Sequence, residues 1–149
     1  MLKEITFQQL QKHLATTFHS DNPSDILLVQ EDFESLFMPT KGIKFFFSKV
    51  EGKGNNTLST AVSQTINLIP DPDKCNACAL CFAMHPDYDL FNLADALENI
   101  HSVLPDDADI LFGTHWNEKF KKDFVIVHIF ISIDFSLCRS TNNLIYKHV

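Results

Sequence analysis

Long apolar runs, basic clusters and glycine-rich turns are all scarce in this chain of 149 residues. No apolar run reaches the roughly 18 residues that a membrane-spanning helix needs, and no positively charged segment followed by an apolar one opens the chain. A cytoplasmic protein with neither export signal nor membrane span is therefore expected. Lysine and arginine number 12 against 19 acidic residues, for a net charge of -7, and only Lys119, Lys121 and Lys122 stand close together. Binding to phosphate backbones or anionic lipid needs a cationic surplus on some face, so nucleic-acid and membrane partners are not expected. The four glycines, Gly42, Gly52, Gly54 and Gly113, are too dispersed to build a glycine-rich phosphate cradle. The four cysteines should be reduced in the cytoplasm.

What the chain does have is phenylalanine, 14 in all, within a hydrophobic fraction of 45%. Its length suits one domain that buries roughly two-thirds of its unfolded surface. The strongest pattern runs from Asp107 to Ile133 and reads as two long strands, Asp109 to Trp116 and Phe124 to Ile133, joined as an antiparallel hairpin by the polar turn Asn117 to Asp123. In the second arm Val125, Val127, Ile129, Ile131 and Ile133 alternate with Phe124, Ile126, His128 and Phe130, so both faces are largely apolar. A strand of that kind belongs in the middle of a sheet covered on both sides.

Upstream, Thr6 and Gln9 form a capping box for a helix whose apolar stripe is Phe7, Leu10, Leu14 and Phe18, with Ile5 and Leu10 placed as a hydrophobic staple. Asp32 is placed to cap a brief helix through Phe33, Leu36 and Phe37, closed by Pro39. A strand follows over Ile43 to Val50, then a helix from Asn56 or Thr57 to Ile69, a strand-like run over 75–84, and a helix capped by Asn92 that ends before Pro105. Strands separated by helices imply parallel crossovers. The expected fold is α+β, a two-layer sandwich with a mixed four-stranded sheet, two helices on one face, and an N-terminal helix. The far face, carrying in this reading Phe46, Cys78, Leu80, Phe82 and Phe130, exceeds what the N-terminal stripe can cover, which points to a homodimer built partly on it.

Two sets of residues suggest chemistry. Cys75, Cys78, Cys81 and His85 have the bare spacing of a zinc or iron–sulfur motif. On a strand, however, Cys75 and Cys81 would face one side and Cys78 the other, with the outer pair roughly 20 Å apart. Apolar neighbours such as Leu80 and Phe82 also favour buried free thiols, so no metal is expected. His128 reads as a hydrogen-bonded core or groove residue, and His115 beside Trp116 as a rim contact.

Ile110-Leu111-Phe112-Gly113, then Asn117-Glu118, Lys122-Asp123 and the apolar strand, resemble the closing hairpin of the C-terminal domain of the FtsZ/tubulin family. Gly42-Ile43 opening a strand, Glu51-Gly52 closing it and the helix over 57–69 follow that domain's order. Leu28 to Phe33 looks like the loop that joins it to the family's central helix. The resemblance covers roughly residues 24–133, leaving residues 1–23 as an N-terminal helix and residues 134–149 as a tail. It implies a stand-alone domain without the family's GTP-binding domain, hence no GTP, no cofactor and no enzymatic activity. In the family this loop brings acidic residues to the next subunit's nucleotide. Asp32 matches the first of these, Ser35 stands where the second is expected and Gln30 replaces an asparagine, while Asp32 also reads as a plain helix cap. The implied role is protein interaction through Gln30, Asp32, Phe33 and Ser35 with His115, Trp116, Asn117 and Lys119, toward a second copy or a full-length FtsZ-like protein in cell division. The alternative is a small-molecule-binding or enzymatic oligomer with its site between subunits, since fold does not determine function.

Overall fold

The computed structural model describes residues 2–19, 25, 30–53 and 57–136. Its centre is β5 (Phe124–Asp134), flanked on both sides along nearly its whole length. The other elements are β1 (Lys3–Ile5), α1 (Phe7–Thr17), α2 (Gln30–Leu36), β2 (Ile43–Lys53), α3 (Thr57–Ile66), a short 3-10 turn at Pro72–Lys74, β3 (Cys75–Met84), α4 (Leu90–Val103) and β4 (Asp109–Trp116). The class is α+β with a mixed sheet, as expected, and the strand order is β1-β2-β5-β3-β4. Five strands are present rather than four, because Lys3 to Ile5 pair antiparallel with Phe45 to Phe47. Three residues, two of them charged, carry too little pattern to read as a strand.

The expected hairpin is the main difference. β5 runs antiparallel to both β2 and β3, whereas β4 pairs in parallel with β3 and lies at the sheet edge. The segment Asn117 to Asp123 thus carries the chain across β3 instead of folding it back on β4. Both crossovers, through α3 and α4, join parallel strands as the sequence implies.

One sheet face is covered by α3 and α4. Phe46, Cys78, Leu80, Phe82, Val127, Ile129 and Ile131 pack there under Leu58, Val62 and Ile66 of α3 and Leu93, Ala96 and Ile100 of α4. Each large side chain buried this way contributes about 1.5–3 kcal/mol. Two helix boundaries shift from expectation. Asp89 rather than Asn92 caps α4, its carboxylate accepting the Phe91 N–H at 2.9 Å, and Asn92 is buried in the first turn. α3 stops at Ile66, so Leu68 is exposed while Ile69 returns to the core. Asn56 lies outside the described residues.

The opposite face is covered by the chain's own N-terminal elements. Leu10, Leu14 and Phe18 of α1 and Leu36 and Phe37 beside α2 bury Phe45, Ala77, Ala79, Cys81 and Phe130. The narrow stripe suffices because β3 presents only Ala77, Ala79 and Cys81 on this side, and aromatic rings fill the remainder: Phe18 lies 5.1 Å from Phe33 and 6.2 Å from Phe130, and Phe47 5.1 Å from Phe130. Phe46 faces α3, and Phe130 shares the α1 face with Phe45, so β5 is in the opposite phase to that assumed in counting an uncovered face. The capping box closes the start of α1 as expected, with Gln9 N–H donating to the Thr6 hydroxyl at 3.1 Å and Thr6 N–H to the Gln9 side chain at 2.9 Å. Past β5, Phe135 N–H donates to the Gly42 carbonyl at 2.8 Å. Gly42 has φ +90, a conformation that strains any other residue, and an added Cβ would sit a tight 3.2 Å from the Ser136 side chain. Most of the expected tail, residues 137–149, lies outside the described residues.

Candidate interaction surface

The expected surface residues fall on two elements that meet at the C-terminal end of α1. On α2, Asp32 lies in the first helical turn with Glu31, two residues past the helix start, so it is not the N-cap. Ser35 is exposed, and its hydroxyl donates back to the Asp32 carbonyl at 3.0 Å. Phe33 is an anchor more than a contact, because its ring packs on Phe18. The side chain of Gln30 lies outside the described residues. Glu31 and Glu34 are exposed, which gives this helix an acidic outer side.

The second element is the end of β4 and the turn that follows. Asn117 N–H donates to the Met84 carbonyl at 2.8 Å, and the Asn117 side chain accepts the Lys119 N–H at 2.9 Å, a local bond that asparagine favours in turns. Phe120 packs edge-on against Phe124 at 5.1 Å. These contacts fix the turn, and Lys119, Lys121 and Lys122 project from it, Lys122 reaching Asp87 at 3.5 Å. The surface therefore has an acidic part on α2 and a basic part on the turn.

His115 ties the end of β4 to the end of α1. Its Nδ1 lies 3.0 Å from the Asp25 carboxylate, and its Nε2 meets the Thr17 carbonyl at the end of α1. The second oxygen of Asp25 accepts the Trp116 N–H at 2.7 Å, and the Asp25 side chain is only 2% exposed. Both ring nitrogens of His115 thus face oxygen atoms. No basic residue lies in the last turn of α1, and His115 supplies from β4 the donor that the helix carbonyls lack. Asp25 was not legible as a site residue: nothing local marks an aspartate whose partners lie about 90 residues downstream.

An Asp–His pair beside Cys81 invites comparison with a nucleophile and its base. The geometry disfavours it. His115 Nε2 is directed at Thr17, whose carbonyl also faces the Cys81 sulfur at 3.8 Å, and burial together with the Asp25 charge pushes the Cys81 thiol up to about 12. His128 lies under Phe47 at 6.1 Å, and His13 stacks on Phe47 at 4.5 Å. Burial, then the charges of Lys49, His115 and His13, lower His128 to about 4. It is not hydrogen-bonded as expected, since its Nδ1 is buried with no partner among the described residues.

Cys75, Cys78 and Cys81 are all buried. An irregularity in the β3–β5 register between Cys75 and Ala77 places Cys75 on the α3 face with Cys78, not with Cys81 as strict alternation implies. The thiols therefore lie on two sides of the sheet, and no group of three metal-binding side chains occurs among the described residues. Nor, among those residues, is any helix long and apolar enough to cross a membrane.

No family model matches the chain, and no curated protein matches it by sequence. Among solved structures, the empty FtsZ dimer from M. jannaschii aligns with a TM-score of 0.62 at 16% identity, over 83% of this chain and 37% of that one. The W319Y mutant of M. jannaschii FtsZ aligns with a TM-score of 0.47 at 20% identity, over 59% of this chain and 26% of that one. The chain thus spans little more than a third of the FtsZ chain it matches over most of its own length. Element order, mixed sheet and structural similarity agree on an FtsZ-like α+β fold.

Proposed function

We propose that this is a non-catalytic, cytoplasmic protein-interaction domain that associates with itself or with a full-length FtsZ-like protein, acting as an adaptor or regulator of a cell-division or tubulin-like polymer. The observation that carries the reading is the Asp25–His115–Thr17 clasp. The Asp25–His115 pair, with the Thr17 carbonyl, ties α1 to the end of β4, so these polar groups serve to fix the surface around them. The similar FtsZ structure from M. jannaschii is a dimer, which is in keeping with self-association. Neither the loop acid replaced by Ser35 nor the dispersed glycines favour GTP chemistry. The test is co-pelleting with a polymerised FtsZ-like protein, together with GTP turnover of this protein alone. Pelleting that is lost on charge reversal at Lys119, Lys121 and Lys122, with no turnover above buffer, supports the reading; turnover above buffer overturns it.

A second reading, small-molecule binding, is favoured by a groove of about 380 Å3 between α1 and α2, lined by Phe7, Leu10, Leu14, Phe18, Phe33 and Phe37. That volume and apolar lining suit a small ligand. Stabilisation of the protein by an apolar compound, abolished in Leu14→Trp, would support it.

A further inference from the structure

Backbone groups on β4 alternate between the sheet and its outer edge. Asn117 N–H bonds inward to Met84, while Trp116 N–H points outward to the Asp25 carboxylate. In a parallel ladder this alternation is strict along a strand, so the N–H and C=O groups of Ile110 and Phe112 also point outward. Among the described residues no strand lies beside them. Asp25 closes the edge at Trp116 with a side-chain oxygen where a neighbouring strand would offer a carbonyl, and among the described residues no strand pairs with the Asp109–Phe112 end. Phe112 is 37% exposed there.

The charge around this edge is one-sided. Residues 75–118, which form β3, α4 and β4, contain eight acidic residues and no lysine or arginine, so the whole net charge of -7 is accounted for within them. Asp106, Asp107 and Asp109 lead into the open edge, and Asp95 and Glu98 are exposed on α4. A second copy would bring the same aspartates against these, and like charges at close range oppose that pairing.

We infer that the open edge of β4 accepts, as a sixth strand, an extended segment of another protein in which lysine or arginine alternates with apolar residues. The outward backbone groups of Ile110 and Phe112 would bond it, and the aspartates would select its charge. This surface is distinct from the one around His115, although the inference shares the premise that the domain works through protein contacts.

The test is amide hydrogen exchange and chemical-shift mapping with a blocked six-residue peptide alternating lysine and valine, against its glutamate–valine counterpart. The expected result is fast exchange at Ile110 and Phe112 in the free protein, slowed at least tenfold by the lysine peptide, with shifts confined to β4. Phe112→Pro removes an outward N–H that the sheet ladder does not use, a change edge strands tolerate, and should abolish binding with the fold kept. Asp107→Lys with Asp109→Lys should weaken binding at least tenfold at low salt and keep the inference testable without the proline. Equal binding of the two peptides, amides already protected in the free protein, or a concentration-dependent dimer lost in Phe112→Pro would each overturn it. Co-pelleting with an FtsZ-like polymer that survives Phe112→Pro would leave the proposed function standing independently.

Discussion

The two faces of the sheet are covered by different means. Under α3 and α4 the strands present long side chains, Leu80, Phe82, Ile129 and Ile131, and both helices meet them with aliphatic stripes at helical spacing. Under α1 and α2 the middle of the sheet is nearly flat, Ala77, Ala79 and Cys81, with phenylalanine rings at its sides and a charged clasp at one end. The first face is held by area. The second is covered by the side chains of a short helix and by aromatic rings, and the Asp25–His115–Thr17 bonds fix the end of that helix in place. How much cover a face needs is therefore set by the volume of its side chains, not by how many of them are apolar.

The largest effect that would break this comparison is expected from cavity formation on the first face. Phe82→Ala should destabilise by about 3–5 kcal/mol, since Phe82 is fully buried and both helices above it are anchored elsewhere. Chemical denaturation should show the midpoint falling with an unchanged slope. A loss below 1 kcal/mol would mean that this face relaxes around cavities, contrary to its reading as area-driven.

The clasp comes next. Removing the ring in His115→Ala takes the histidine partner from the buried Asp25 carboxylate and should cost about 3 kcal/mol, the low end for broken buried pairs because His115 keeps some exposure. The loss should shrink in the double variant with Asp25→Asn, which removes the stranded charge. Simple additivity of the two changes would show that the clasp is not a coupled unit. On the flat part of the same face, Ala79→Leu should destabilise by about 1–3 kcal/mol through overpacking, since Ala79 is fully buried. A stabilised protein would show that this part of the face has room to spare.

Much of the fold was legible because its signals are local. The α1 capping box, the stripes of α3 and α4 and the two-sided apolar run of β5 all follow from periodicity within single elements. The position of β5 between β2 and β3 was not, since adjacency of β4 and β5 in sequence suggested a hairpin. One physical cue existed: Asn117 to Asp123 is longer than the roughly two to five residues of ordinary hairpin loops, as a connection stepping over a strand must be. The phase of β5 against its neighbours depends on register, which its uniformly apolar sequence does not encode. Half of the candidate surface, Asp32 to Ser35 and His115 to Lys119, could be named, but Asp25 and the Thr17 carbonyl became visible only through tertiary contact.

The smallest effect separates the two faces by pH. His128 lies on the α1 face between Phe47 and the neighbouring strand, and burial with nearby positive charge lowers it from the ordinary 6.5 to about 4. In the unfolded chain the ring takes up a proton near 6.5, so between that value and about 4 the unfolded state binds more protons than the folded one. Its stabilising contribution is complete above 6.5 and declines as pH falls toward 4. His128→Phe keeps an aromatic ring under Phe47 and removes the titration, so the difference in stability between wild type and variant should change across that window and be constant above it. Carboxylates titrating below about pH 5 are common to both proteins and cancel in the difference. A difference that does not vary between pH 4 and 6.5 would show that the ring is hydrated in the folded protein, and that this end of the α1 face is as open as its partial exposure allows.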